Sequence, residues 1–215
     1  MKWEWITGHL PLIGQLLGEH IVLSVLPVVI GLAVSVPLGV ACARYPALYG
    51  PVLMLTSVLY SIPSLALFVF MLGFTGLNAS TVVIPLALYT LSVLVRNVVD
   101  GIRSVPDAVR DAAVGMGFGP LRRLVQVELP VAVPLIMAGT RVATVSNISM
   151  VSVGSLLGFG GLGQLFTTYG IQLNFFLTAI LAGVVLTVAL AVAADTILVG
   201  VQRLLTPWAP RGAAR

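Results

Sequence analysis

Five apolar stretches dominate this sequence, at residues 20–43, 51–73, 81–99, 130–157 and 175–201. About 20 apolar residues of helix cross the hydrocarbon core of a bilayer, so each stretch reads as a membrane span. The third is the shortest, because Arg96 and Asp100 trim its apolar length. Composition agrees: 59% of the residues are hydrophobic and only 8% charged, with a mean hydropathy of +1.10. Soluble domains carry about a quarter charged residues. The expected fold class is therefore all-α, a polytopic membrane protein of about five transmembrane helices in a single domain over residues 1–215.

Gly31, Gly39, Gly139, Gly154 and Gly183 punctuate the spans, and small residues let membrane helices approach closely. The expectation is a packed bundle. Trp3 and Trp5 mark residues 1–19 as a stretch for the membrane–water interface. His9 and His20 read as interfacial too, without partners at metal-ligand spacing, and no metal site is expected. Lys2 is the only early basic residue and Glu4 follows it, so this stretch does not read as a secretory signal. Cys42, the single cysteine, lies in an apolar run and reads as a small buried hydrophobe without a disulfide role.

A net charge of +4 and pI ≈ 9.7 could point to nucleic acid, but the placement of the basic residues has a simpler explanation. Arg44 follows span 1, Arg103, Arg110, Arg122 and Arg123 follow span 3, and Arg203, Arg211 and Arg215 follow span 5. The connections at 74–80 and 158–174 hold no Lys or Arg. Cytoplasmic loops carry the Lys/Arg excess. The N-terminus is thus expected outside and the C-terminus in the cytoplasm, with no nucleic-acid partner.

The longest polar interruption is PDAVRDAAVGMGFGPLRRLVQVELP, from Pro106 to Pro130. Pro106 and Pro120 suit the first turn of a helix, where a missing N–H costs nothing. Asp107 and Asp111 suit the positive end of the helix dipole. Gly115, Gly117 and Gly119 supply backbone for a sharp turn. The expectation over 106–128 is two short helices about a glycine turn, closed by Pro130: a rigid cytoplasmic knob fit to dock a soluble partner.

Asp111-Ala112-Ala113, Gly117 six positions after the acid, and Val127-Glu128-Leu129-Pro130 closely resemble the EAA signature of ABC importer permeases. Asp stands for the usual Glu and Val for the usual Ile. The resemblance covers about residues 20–205 and is greatest to type I permeases for glycine betaine, carnitine, choline or proline. It implies an ABC ATPase subunit pair, an extracytoplasmic substrate-binding protein and a second permease copy, identical or a sister chain. It also implies alternating access in a bacterial or archaeal cell membrane, with Gly117 as the turn and Arg122 and Arg123 as flank contacts. Asp111 would fix the knob's geometry or touch the ATPase. A methionine importer permease shares both this segment and the glycine-rich turn below, and is the alternative. A stand-alone channel or secondary transporter is a third reading, but no two-fold repeat is visible.

Gly158, Gly160, Gly161 and Gly163 formally satisfy G-x-G-x-x-G. A dinucleotide site would need a preceding strand and an acid about 20 residues on; a membrane span precedes it instead, and Asn174 is the nearest downstream polar candidate. The run LLGFGGLGQL resembles the external turn after span 4 in betaine-type and methionine-type permeases. A tight re-entrant backbone at the pathway mouth and a merely flexible loop are both open. In span 2, Ser61, Pro63 and Ser64 mark a proline kink, either lining the pathway or purely structural. SIPSLAL resembles the corresponding helix of quaternary-ammonium osmoprotectant permeases.

Arg141 and Asp195 are intramembrane charges, which are functional candidates by default. A structural ion pair or helix-end anchor is the preferred reading of Arg141, and a structural partner that of Asp195, with Arg203 two turns on. No P-loop, H-E-x-x-H, G-x-S-x-G or Cys/His cluster occurs. Catalytic residues and cofactors are expected to be none, with ATP hydrolysis on a separate subunit.

Overall fold

The computed structural model describes residues 2–173 and 175–208; Asn174, Arg211 and Arg215 lie outside them. Every secondary-structure element among the described residues is helical. A short helix α1 (Trp3–Gly8) meets α2 (Leu10–Arg44) at His9. At 35 residues, α2 is about 52 Å long. It therefore absorbs residues 10–19, which the sequence reading set outside the first span.

His20 is correspondingly not interfacial. It is fully buried, its ring set between two backbone carbonyls, with Nε2 2.9 Å from Ile148 O and Nδ1 3.2 Å from Gly160 O. The single N–H of a neutral imidazole donates to one of these carbonyls and offsets part of the cost of burial, and helix α2 carries the ring to them. His9 stays near the surface, stacked on Trp5 with ring centroids 4.4 Å apart.

The second span is two helices, α3 (Pro46–Ser61) and α4 (Ser64–Thr75), bent by 93° where they meet. The expected kink within 51–73 is thus a full break. Pro63 removes the N–H that would continue the ladder and pushes Ile62 into extended backbone (φ −70°, ψ 130°). The Tyr89 hydroxyl donates to the freed Ile62 carbonyl at 2.7 Å.

Helix α5 (Ser80–Arg103) is the centre of the bundle. Val82, Leu86, Leu94, Val95, Val98 and Val99 along it are all but inaccessible. Helix α2 packs directly on it: a Cβ at Gly39 would lie 2.6 Å from the Val98 side chain. This close approach needs glycine.

Then come α6 (Asp107–Gly115), α7 (Pro120–Arg123) and α8 (Leu129–Gly154). A π-helical turn at Leu124–Glu128 joins the last two, so 120–157 runs as one helical stretch of 38 residues. Pro130 does not close the segment, and the second helix of the knob is not short. The change of register at Glu128–Leu129 leaves Pro130 in the opening turn of α8, where its missing donor breaks no bond.

A turn of 3₁₀ helix at Ser155–Leu157 leads to the glycine run, then α9 (Gly163–Phe166) and α10 (Leu177–Leu205). Among the described residues, four helices are long and apolar enough to cross a membrane, or up to five with the bent pair as one span. The chain is an all-α polytopic membrane protein. Helices α2, α5 and α10 finish at one end of the bundle and α8 begins there, so Arg44, Arg103, Arg110, Arg122, Arg123 and Arg203 gather at that end. The glycine run lies at the other.

Candidate functional site

At the basic end, Val105 and Ala113 are buried and seat α6 against the bundle. The helix closes on a Schellman turn. Gly117 N–H bonds Val114 O at 2.9 Å and Phe118 N–H bonds Ala113 O at 3.0 Å, with Gly117 left-handed at φ +80°. Glycine reaches this conformation without steric cost.

Asp111 and Ala112 face outward, and Asp111 makes no polar side-chain contact among the described residues. The sequence leads Asp111 to be expected either to fix the knob's geometry or to touch the ATPase; within the chain, other charges fix that geometry. Arg110 donates to Ile102 O at 2.6 Å and to Asp107 at 3.0 Å, and its Nε lies 4.0 Å from Glu128. Arg123 Nε donates to the same Glu128 carboxylate at 2.9 Å. The buried Glu128 thus ties α6 to the base of α8.

Along the sequence Glu128 is marked only by its place in the motif, with no basic partner at helical spacing. Residues five apart sit on different faces of an α-helix, whereas a π turn brings i and i+5 together. Arg123 is therefore turned inward rather than set as a flank contact. Arg122 lies over the Phe118 ring at 4.2 Å and bonds Gln126, at the surface. Arg44 donates to Pro120 O at 3.2 Å, tying the knob to α2. Leu129 and Pro130 are half-buried at the start of α8. The tip between the helices is apolar: Val114, Met116 and Leu121 are exposed, the last at 73%.

At the opposite end, Gly158 (φ +84°) and Gly161 (φ +46°) are left-handed, and Gly160, Gly161 and Gly163 are buried. The run is folded into the bundle rather than looped out. A Cβ at Gly161 would lie 2.6 Å from His20 Cβ and Leu16 O, and one at Gly163 would lie 2.6 Å from Ser152 O. Gly161→Ala combines overpacking with a disfavoured φ, and is expected to destabilise the protein by about 2 kcal/mol. A lowered unfolding temperature in detergent checks this; an unchanged one would mean that the turn is slack.

Ser61 is exposed and donates to Val58 O at 2.7 Å, Pro63 is exposed and Ser64 half-buried. The fold brings the helix break and the glycine turn to one cluster. Ile62 and Phe159 both pack against the buried cluster that includes Phe68, Leu86, Tyr89 and Val151.

Arg141 and Asp195 meet across α8 and α10 in a two-pronged pair, Nε to Oδ1 at 2.6 Å and Nη2 to Oδ2 at 2.8 Å. Arg203 forms no ion pair among the described residues. No group of three or more His, Cys, Asp or Glu among them is placed to hold a metal.

The family described as binding-protein-dependent transport system inner membrane component matches residues 35–209. The glycine betaine/carnitine/choline transport system permease protein OpuCD of Bacillus subtilis is 37% identical over 189 residues, covering 88% of this chain and 82% of its own. The osmoprotectant import permease protein OsmW of Salmonella typhimurium is 36% identical over 194 residues, 88% of this chain and 89% of its own. Among solved structures, an inward-facing MetNI methionine ABC transporter chain superposes with a TM-score of 0.78 at 22% identity, covering 88% of this chain and 94% of that one. That last likeness is one of fold.

Proposed function

Since the chain belongs to the binding-protein-dependent transport system inner membrane component family, we propose that it is the transmembrane subunit of an ATP-driven importer for a small osmoprotectant. Glycine betaine, carnitine, choline and proline are the candidate cargoes. The observation that carries this reading is 33–37% identity, over 88–93% of the chain, to permeases named for osmoprotectants, choline or carnitine. The methionine transporter resembles the chain at 22% identity and supports the fold alone.

ATP hydrolysis belongs to a separate ATPase pair, and solute capture to an extracytoplasmic binding protein. A second permease copy completes the pathway. The basic end lies in the cytoplasm, in keeping with the positive-inside bias, and the glycine run lies at the outer mouth. The exposed apolar tip of the knob docks on the ATPase. Arg110, Glu128 and Arg123 hold the knob as one piece with α8, and the Arg110–Ile102 bond ties it to α5. A displacement of α6 is therefore delivered to the bundle and opens the pathway by alternating access.

The test is reconstitution with the ATPase and binding protein in vesicles. ATP-dependent uptake of labelled glycine betaine or choline is expected, competed by the other osmolytes and not by methionine. Uptake saturated by methionine and indifferent to osmolytes would overturn the cargo assignment.

A further inference from the structure

A cleft between α3, α5 and α8, beside the break at Ile62–Pro63, is lined in part by Tyr60, Tyr89, Thr90, Ser146, Asn147 and Met150. The Tyr60 and Tyr89 rings meet edge to face, centroids 5.6 Å apart at 72°. The hydroxyl bond to Ile62 O fixes the buried Tyr89, while Tyr60 is 44% exposed. Asn147 is 2% exposed, yet its Nδ2 has no hydrogen-bond acceptor among the described residues. Stranding a buried donor costs about 1–3 kcal/mol, so this amide is an unfilled position for an acceptor.

We propose that the cleft is a passage site for a solute bearing a quaternary ammonium at one end and a carboxylate or hydroxyl at the other. This rests on the importer reading above and adds a place where this chain touches the cargo. A quaternary ammonium has no N–H to donate, so aromatic faces are what can recognise it. Asn147 Nδ2 and the Ser146 hydroxyl supply donors for the opposite end. Among the described residues, no charged one lines the cleft. Neutral walls bind weakly enough to release, which passage requires. The free space is only about 10 Å³, room for one water, so the site is closed in this conformation. It opens when α3 swings away from α8 about the Ile62–Pro63 break.

The experiment uses the assembled transporter in vesicles of phosphatidylethanolamine and phosphatidylglycerol. Cys42, the only native cysteine, is buried and fully inaccessible, so a thiol placed by Ser146→Cys reports the cleft. During turnover it is expected to react with a membrane-impermeant methanethiosulfonate, and glycine betaine is expected to slow that reaction about tenfold. Tyr60→Leu in the same background abolishes the protection, and Tyr60→Phe, which keeps the ring face, restores it. In uptake, Tyr60→Leu lowers the glycine betaine rate about tenfold. Labelling that glycine betaine leaves unchanged, in a transporter that imports it, would overturn the site while sparing the importer reading. So would a thiol that never reacts in turnover, because a passage site must meet water. Protection without added solute, appearing only when phosphatidylcholine is included, would assign the cleft to a lipid headgroup and overturn it for the cargo. No glycine betaine uptake by the unaltered transporter would remove both readings.

Discussion

In a Gly117→Asp variant, ATP-dependent uptake is expected to fall at least tenfold while the chain still inserts and folds. Among the described residues nothing lies within 4 Å of where the new Cβ would sit, so packing is undisturbed. The left-handed φ of +80° costs an L-residue about 1 kcal/mol, and Asp is among those that accept it most readily. The larger effect is at the tip. The new carboxylate joins the exposed apolar surface of Met116 and Leu121, and burying an unpaired ion against a docking partner costs several kcal/mol. A tenfold loss needs only about 1.4 kcal/mol. Gly117→Asn separates the two causes, since it keeps the backbone demand and omits the charge; it should retain most uptake. Uptake and ATPase stimulation in vesicles, beside size-exclusion profiles, decide the matter. Normal coupling in Gly117→Asp would remove the knob as the docking surface.

The second large effect is expected at the intramembrane pair. Asp195→Ala strands the Arg141 guanidinium within the span, where an unpaired charge costs about 2.5–3.5 kcal/mol. Both side chains are 35% exposed in the isolated chain, so the loss should fall toward the lower figure. The double variant Arg141→Met, Asp195→Ala removes both charges together and should recover most of the loss. Thermal unfolding in detergent of the parent, Asp195→Ala, Arg141→Met and the double variant gives the cycle. Additive single effects would mean that the pair contributes no coupling.

The same pair illustrates where sequence reasoning ends. Arg141 and Asp195 were each legible as costly charges, because a charge in an apolar run is visible locally. Their meeting across 54 positions was not, since it depends on how α8 and α10 lie together. Glu128 is a subtler case. Helical spacing predicts partners three or four residues away, and Arg123 lies five away. The π turn that joins them has no periodic signature of its own.

His20 looked interfacial because it stands where the first apolar run begins. An interfacial position would require the helix to begin there as well. It begins at Leu10, and ten further residues of helix place His20 inside the bundle. The glycine run was open between slack loop and tight turn, as glycine permits either. Its contacts with Leu16, His20 and Ser152 make it a packed turn.

What the sequence by itself determined are properties summed along the chain: a membrane-spanning helical class, an end rich in arginine, and the spacing of residues 111–130 that marks the family. Hydrophobic length and charge distribution need no knowledge of neighbours. Only the tertiary structure decided the 93° break, the inward turn of Arg123, the Arg141–Asp195 pair and the cleft beside Tyr60. The break and the turn of Arg123 are local departures from α-helical geometry, while the pair and the cleft depend on which side chains distant helices present to one another; helical periodicity carries no information about either.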